Sequence, residues 1–304
     1  MKKVIVTTTI NHPTKAIDLF QSMDDWELVV IGDKKTPKDY QLRKGIYISP
    51  EEQERYDKSL SDAIGWNCIQ RRNFGLLWAH DMKADVVAVV DDDNIPYENW
   101  GKNLLIGKEV NIKHYDISED VFDPVGATNY KNLWHRGFPL QILKNRNYQN
   151  IYEDTIKPDV QADFWNGDPD IDAICRMEHA PECNFDNSCF PFSSNKSAPF
   201  NSQNTFLLGS CLKDYFLFPH VGRMDDIWAA YYIQSKGYKV VFNAASVYQE
   251  RNPHDLTKDM KKEYLGYENN LNLVNDIKSD PNAIYSYLPG LSIRAFDLYK
   301  RHFK

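Results

Sequence analysis

Three consecutive carboxylates, Asp91, Asp92 and Asp93, follow directly on the apolar run Val86-Val87-Ala88-Val89-Val90. Like charges set this closely repel one another unless a cation sits among them, and hard divalent ions such as Mg2+ or Mn2+ take oxygen ligands of this kind. A β-branched apolar run marks a strand buried on both faces, and ligands of open α/β sheets collect at the carboxyl ends of such strands. The stretch points to a metal-dependent site for a phosphorylated ligand, a solvated acidic turn being the alternative. A second pair, Asp225-Asp226, falls in the first turn of a helix predicted from 222 onward. The helix dipole favours acids there, so the pair reads either as a cap or as functional. Asp168 and Asp170 lie in a further acidic turn over 166–172. Adjacent Arg71 and Arg72 could grip a phosphate in bidentate fashion, unless they lie on a solvated helix face.

The elements that must carry these residues follow from periodicity. The chain has 304 residues, 42% of them hydrophobic and 26% charged, enough for one large or two modest globular domains. Strands are predicted over 4–8, 28–31 and 46–48, with a helix over 15–23 between the first two. This alternation implies a parallel sheet with right-handed crossovers. Thr7 and Thr8 close the first strand. Asp33 follows the second, where an acidic residue meets a nucleoside in Rossmann-like sheets; the glycine-rich dinucleotide fingerprint is absent, which speaks against NAD. Apolar spacing predicts one helix over 61–82, carrying Gln70-Arg71-Arg72-Asn73 into the acidic strand. Beyond Asn94 the chain is rich in Asn, Pro and aromatic residues with weak periodicity, and 181–204 reads as a long loop. A strand over 238–242, a polar loop holding His254, and helices from Thr257 onward complete the reading.

Bulk properties narrow the partners. A net charge of −7 argues against nucleic acid and against an anionic membrane surface. Five cysteines without paired CxxC spacing favour neither a zinc ribbon nor a disulfide framework and suit a reducing cytoplasm. The amino-terminal residues turn polar too soon for a signal-peptide core, and no run approaches the ~20 apolar residues of a membrane span. The basic, aromatic tail over 298–304 could suit peripheral contact with a membrane surface, a solvated helix end being the alternative.

Taken in order, these pieces resemble the GT-A glycosyltransferases, with Asp91-Asp92-Asp93 as their DxD motif. The blocks Ile31-Gly32-Asp33-Lys34-Lys35-Thr36-Pro37, Gln70-Arg71-Arg72-Asn73, Asp91-Asp92-Asp93-Asn94, Arg136-Gly137-Phe138-Pro139-Leu140, Asp168-Pro169-Asp170-Ile171-Asp172-Ala173 and Gln249-Glu250-Arg251-Asn252 are similar to the glycosyltransferase-like region of the plant STELLO proteins. The segment from Gly222 to Ala229 and Lys261-Lys262-Glu263-Tyr264 also resemble the reversibly glycosylated polypeptides, which act as UDP-arabinopyranose mutases. In those, the arginine of an Arg-Gly-Tyr-Pro segment is implicated in self-glycosylation; here Arg136 is kept and Phe138 replaces the tyrosine.

The resemblance implies a GT-A (Rossmann-like) α/β fold with a mixed, mainly parallel sheet flanked by helices. Its domain would span 1–256, as a nucleotide half over 1–94 and a sugar and acceptor half over 95–256, with a helical extension over 257–304. It implies a nucleotide-sugar donor, most simply a UDP-sugar, and a hydroxyl acceptor on a glycan or other molecule. Uracil and ribose would lie near Thr7, Thr8 and Asp33. Arg71, Arg72, Asn73, Asp91 and Asp92 would serve the nucleotide, and Asp93, Asp91 and His254 would hold Mn2+ or Mg2+. Arg136, Gly137, Asp168 and Asp170 would meet sugar or acceptor. Asp226, ahead of Asp225, would take the acceptor proton in an inverting displacement. A pyranose/furanose mutase, a self-glycosylating protein and a non-catalytic sugar-nucleotide scaffold are the alternatives.

Overall fold

The computed structural model describes residues 1–250 and 255–303. Strand β1 (Lys3–Thr8), helix α1 (Lys15–Phe20), strands β2 (Glu27–Ile31) and β3 (Ile46–Ile48), and helix α2 (Pro50–Ile64) open the chain. Ser49 starts α2 through a reciprocal capping box with Glu52, and Pro50 occupies the first turn, where its missing N–H costs nothing. Helix α3 (Arg72–Asp81) then leads into β4 (Val86–Val90). All five β4 residues are buried, as the continuous apolar run predicts.

The helix predicted over 61–82 is in fact two. Gly65 and Asn67 adopt positive φ, +82° and +58°, and a short 3-10 turn over Ile69–Arg71 precedes α3. The cause lies outside the helix: the Asp33 carboxylate accepts from the backbone N–H of Asn67 at 2.8 Å and Cys68 at 3.0 Å, groups that a continuous helix would keep for itself.

The stretch after Asn94 contains more order than its pattern suggests. It supplies β5 (Asn94–Pro96), β6 (Val110–Tyr115), β7 (Ile151–Ile156), β8 (Val160–Gly167), helix α4 (Ala173–His179), β9 (Phe192–Ser194), β10 (Asn204–Leu208) and helix α5 (Asp225–Ser235). Strand β11 (Val240–Gln249) runs seven residues beyond the predicted end at 242, through an irregularity between Asn243 and Val247. Helices α6 (Leu256–Ser279) and α7 (Gly290–Arg301) form the carboxyl-terminal extension.

Among the described residues the strands form one sheet in the order β3-β2-β1-β4-β10-β8-β11-β9-β6-β7, with β5 pairing to β11. The β3-β2-β1-β4 section is parallel. Strand β10 runs antiparallel to both β4 and β8, and β8 is parallel to β11. The carboxyl ends of β1, β2, β4, β8 and β11 and the amino end of β10 therefore share one edge of the sheet. The acidic triplet, Ser202-Gln203 and Gln249 meet there. This is the mixed α/β sheet with helical flanks and a carboxyl-terminal helical extension that the GT-A resemblance implies.

Candidate functional site

Two cavities open along that edge. The first, of about 290 Å3, is lined by Thr8, Thr9, Asp33, Asn67, Cys68, Arg72 and the acidic triplet, among others. The second, of about 210 Å3, is lined by Arg136, Ser202, Gln203, Arg223, Asp225, Asp226 and Gln249, together with Asp91 and Asp93. Ile69, Asp91 and Asp93 belong to both. The end of β4 is thus the boundary between two adjoining spaces.

The three carboxylates do different things. Asp91 accepts from Arg72 Nη2 at 2.7 Å. Burial raises its pKa and the Arg72 charge opposes that rise. Asp92 turns toward the loop after β1, accepting from Thr9 Oγ1 at 2.5 Å and Asn11 Nδ2 at 3.3 Å. Asp93 faces both cavities.

The two arginines also part ways. Arg72 donates to Ser202 O at 2.7 Å and Thr8 Oγ1 at 3.3 Å as well as to Asp91, and it lines the first cavity. Arg71 points into the fold. It bonds Gln53 Oε1, Ser61 Oγ and the Gly65 carbonyl and stacks on Trp66, its Cζ 3.7 Å from the ring centroid; burial pulls its pKa down to about 10. Asn73 pairs with the Leu217 backbone through both amide atoms. Neither Arg71 nor Asn73 lines either cavity.

Around the second cavity lies a buried ionic network. Arg136 grips Asp170 through Nε and Nη2 at 2.9 Å each. Its Nη1 and Nη2 reach Asp226 at 2.9 and 3.1 Å, and Nη1 also donates to the Arg223 carbonyl. These bonds engage all five guanidinium N–H groups. Asp226 additionally accepts from the Ser202 N–H at 3.0 Å and its hydroxyl at 3.3 Å. Asp225 accepts from Gln70 Nε2 at 2.8 Å. Burial and the neighbouring Asp226 push its carboxyl up to about 7, against the opposing pull of Arg136 and Gln70. Residues one apart in the chain thus meet opposite environments.

Other sequence candidates lie elsewhere. Thr7 is fully buried beneath the cavity-lining Thr8 and Thr9. Asp33 lines the first cavity but spends both oxygens on the backbone of the 67–68 turn and Lys34. Gly137 has φ +89°, and a Cβ there would stand 2.3 Å from Ile227 Cγ2; its carbonyl accepts from Tyr231 and Asn270. It fastens α5 and α6 rather than lining a cavity. Asp168 is ion-paired with Arg176 and lines neither cavity, while Asp170 acts through Arg136. His254 falls outside the described residues.

Gln70, Ser202, Gln203, Arg223 and Gln249 were not foreseen as site residues. Only the placement of Gln70 beside Arg71-Arg72 and of Gln249 in a polar block hinted at them.

Among the described residues no group of three or more His, Cys, Asp or Glu side chains is disposed to hold a metal ion. Asp91 and Asp93 still present hard oxygen donors at the shared boundary, in a cavity where four aspartates face two arginines. Oxygen donors of this kind are the class that Mg2+ and Mn2+ take.

No protein-family model matches the chain. Two probable glycosyltransferases of Arabidopsis thaliana, STELLO2 and STELLO1, are 25% and 24% identical to it over 185 residues. The match takes in 57% of this chain and spans about a quarter, 24%, of each relative's length. The chain is thus a distant homologue of the plant STELLO proteins. Among solved structures it resembles glucosyl-3-phosphoglycerate synthase of Mycobacterium tuberculosis in complex with phosphoglyceric acid, at 12% identity and a TM-score of 0.46, over 90% of this chain and 80% of that one. The same enzyme with Mn2+, UDP-glucose and phosphoglyceric acid gives 12% identity and a TM-score of 0.47, over 89% and 80% of the two chains. No helix among the described residues is long and apolar enough to cross a membrane.

Proposed function

We propose that this chain is a cation-dependent glycosyltransferase that moves a sugar from a nucleotide sugar, a UDP-sugar in the first instance, to a hydroxyl acceptor with inversion. The observation that carries the reading is the pair of adjoining cavities sharing Asp91, Asp93 and Ile69. A nucleotide sugar has the same bipartite form, a nucleoside and a sugar joined by a diphosphate. The nucleoside lies in the cavity of Thr8, Thr9, Asp33 and Asn67, the sugar lies with Asp225 and Arg136, and the diphosphate crosses the β4 end. The nucleotide half over 1–94 and the sugar half over 95–256 follow the same division. Distant homology to probable glycosyltransferases supports the reading.

Asp93, which lines both cavities, is the foremost cation ligand of this reading, with Asp91 beside it. When bound, the cation supplies Lewis-acid neutralisation of the leaving diphosphate. Arg72 adds a fixed positive charge on the nucleoside side. Hydrogen bonding favours Asp225 over Asp226 as the base, the reverse of the order implied by the sequence resemblance. Four donors converge on Asp226, which holds Arg136 in place, whereas Asp225 has a pKa near working pH, where a general base is most effective. The acceptor oxygen bonds to the sugar's anomeric carbon, the bond from that carbon to the diphosphate oxygen breaks, and the hydroxyl proton passes to Asp225.

Self-glycosylation at Arg136 fits poorly, since every N–H of that guanidinium is engaged. The test is incubation of the purified chain with Mn2+ and a panel of UDP-sugars, read by product NMR and intact-protein mass spectrometry. Slow release of UDP and free sugar from one donor supports the transferase. Furanose product identifies a mutase, an added sugar mass identifies self-glycosylation, and binding without turnover identifies a scaffold. Failure to bind any nucleotide sugar contradicts the donor reading altogether.

A further inference from the structure

Gln249 ends β11 and is held there from both sides: it stands in register with Asn94 of β5 and Gly167 of β8. Its backbone carbonyl accepts from the Asp168 N–H at 3.3 Å. The residue is only 3% exposed, yet it lines the Asp225 cavity, and its buried Oε1 has no hydrogen-bond partner among the described residues. Native proteins rarely bury an acceptor without a partner unless something absent from the protein supplies the proton. The cavity's other glutamine is differently placed, since Gln203 Oε1 accepts from Trp165 Nε1 at 3.0 Å. Asn94 Oδ1 also lacks a partner among the described residues, but Asn94 lines neither cavity.

We propose that Gln249 reads the transferred sugar, its side-chain carbonyl accepting a hydrogen bond from one sugar hydroxyl. The inference rests on the donor reading above and makes it specific. A diphosphate at neutral pH offers no N–H or O–H to this oxygen, and the nucleoside cavity does not include Gln249. The sugar is the part of the donor that brings hydroxyl donors into this space.

The experiment compares wild type with Gln249→Leu, using calorimetric binding of UDP and kcat/KM for UDP-sugar hydrolysis, both with Mn2+, and a set of monodeoxy UDP-sugars. UDP affinity should stay within about twofold. Hydrolytic kcat/KM should fall about three- to tenfold, the worth of one neutral hydrogen bond. One deoxy donor should be penalised by wild type and treated by Gln249→Leu like its parent. Equal losses for UDP and UDP-sugar overturn it in favour of a diphosphate or cation contact, and so does full discrimination of every deoxy donor by the variant. If wild type binds UDP and UDP-sugar with the same affinity and hydrolyses none, the sugar is not held in this cavity and the inference falls. If wild type binds neither, the donor reading falls first and takes this inference with it.

Discussion

Replacing Gln70 by leucine should move the pH dependence of the reaction without touching substrate. Gln70 Nε2 lies 2.8 Å from Asp225 Oδ2 in a buried contact, and Gln70 lines neither cavity. The Asp225 carboxyl stands at about 7 with this bond in place, and the bond lowers it. A hydrogen bond to a charged group contributes about 1.5–3 kcal/mol, and one pKa unit corresponds to about 1.4 kcal/mol. Its loss should raise the Asp225 pKa by about 1–2 units. A general base works deprotonated, so wild-type kcat/KM should rise through about pH 7 and level off above it. In Gln70→Leu the rising limb should start later. At pH 7 the ionised fraction falls from about one half to between about one tenth and one hundredth, so kcat/KM drops about 5- to 50-fold. The two profiles should converge only above about pH 10. A bound cation would lower the midpoint in both proteins, so the displacement between profiles is the quantity to measure. Asp225→Asn is the companion control. It should lose about 10²- to 10⁴-fold in rate and the rising limb with it. A limb that stays in place in Gln70→Leu, or survives in Asp225→Asn, refutes Asp225 as the base.

Two stability predictions follow from packing. Gly137→Ala sets a methyl group 2.3 Å from Ile227 Cγ2 at φ +89°, so overpacking and left-handed strain should together cost about 2–4 kcal/mol; an unchanged urea midpoint would contradict the close approach. Arg136→Ala removes the guanidinium that pairs with buried Asp170 and Asp226, which should cost about 3–5 kcal/mol. That loss should appear as a lower denaturation midpoint even without substrate, and wild-type stability would contradict the network.

The parts legible in the sequence were those with strong local signals. The apolar run 86–90 has one reading as a buried strand, and three acids after it mark a sheet-end site whatever the surroundings. The short strands between 94 and 208 were hidden because their order comes from pairing: β10 is antiparallel to both neighbours, and no local pattern encodes such partners. The choice between Arg71 and Arg72 was equally hidden. It is settled by a carboxylate more than thirty residues away, since Asp33 breaks the helix at Asn67 and Cys68 and leaves Arg71 against Trp66. Asp225 and Asp226 look interchangeable as neighbours at a helix start; Arg136, from a separate loop, distinguishes them. The polar block that begins at Gln249 marks the residue but does not tell its role, because an unsatisfied acceptor exists only once the cavity does.

If the end of β4 holds a cation that anchors a nucleoside diphosphate, calorimetric titration of UDP will register it. Wild type and Asp93→Ala are each titrated with and without Mn2+. Wild type should bind UDP strongly only with Mn2+. Asp93→Ala should keep its circular dichroism and lose the cation-dependent affinity by more than the about 10- to 100-fold that loss of an outer-shell partner costs. Equal UDP affinity in both proteins, with or without the cation, would mean that no cation held by Asp93 anchors the diphosphate there.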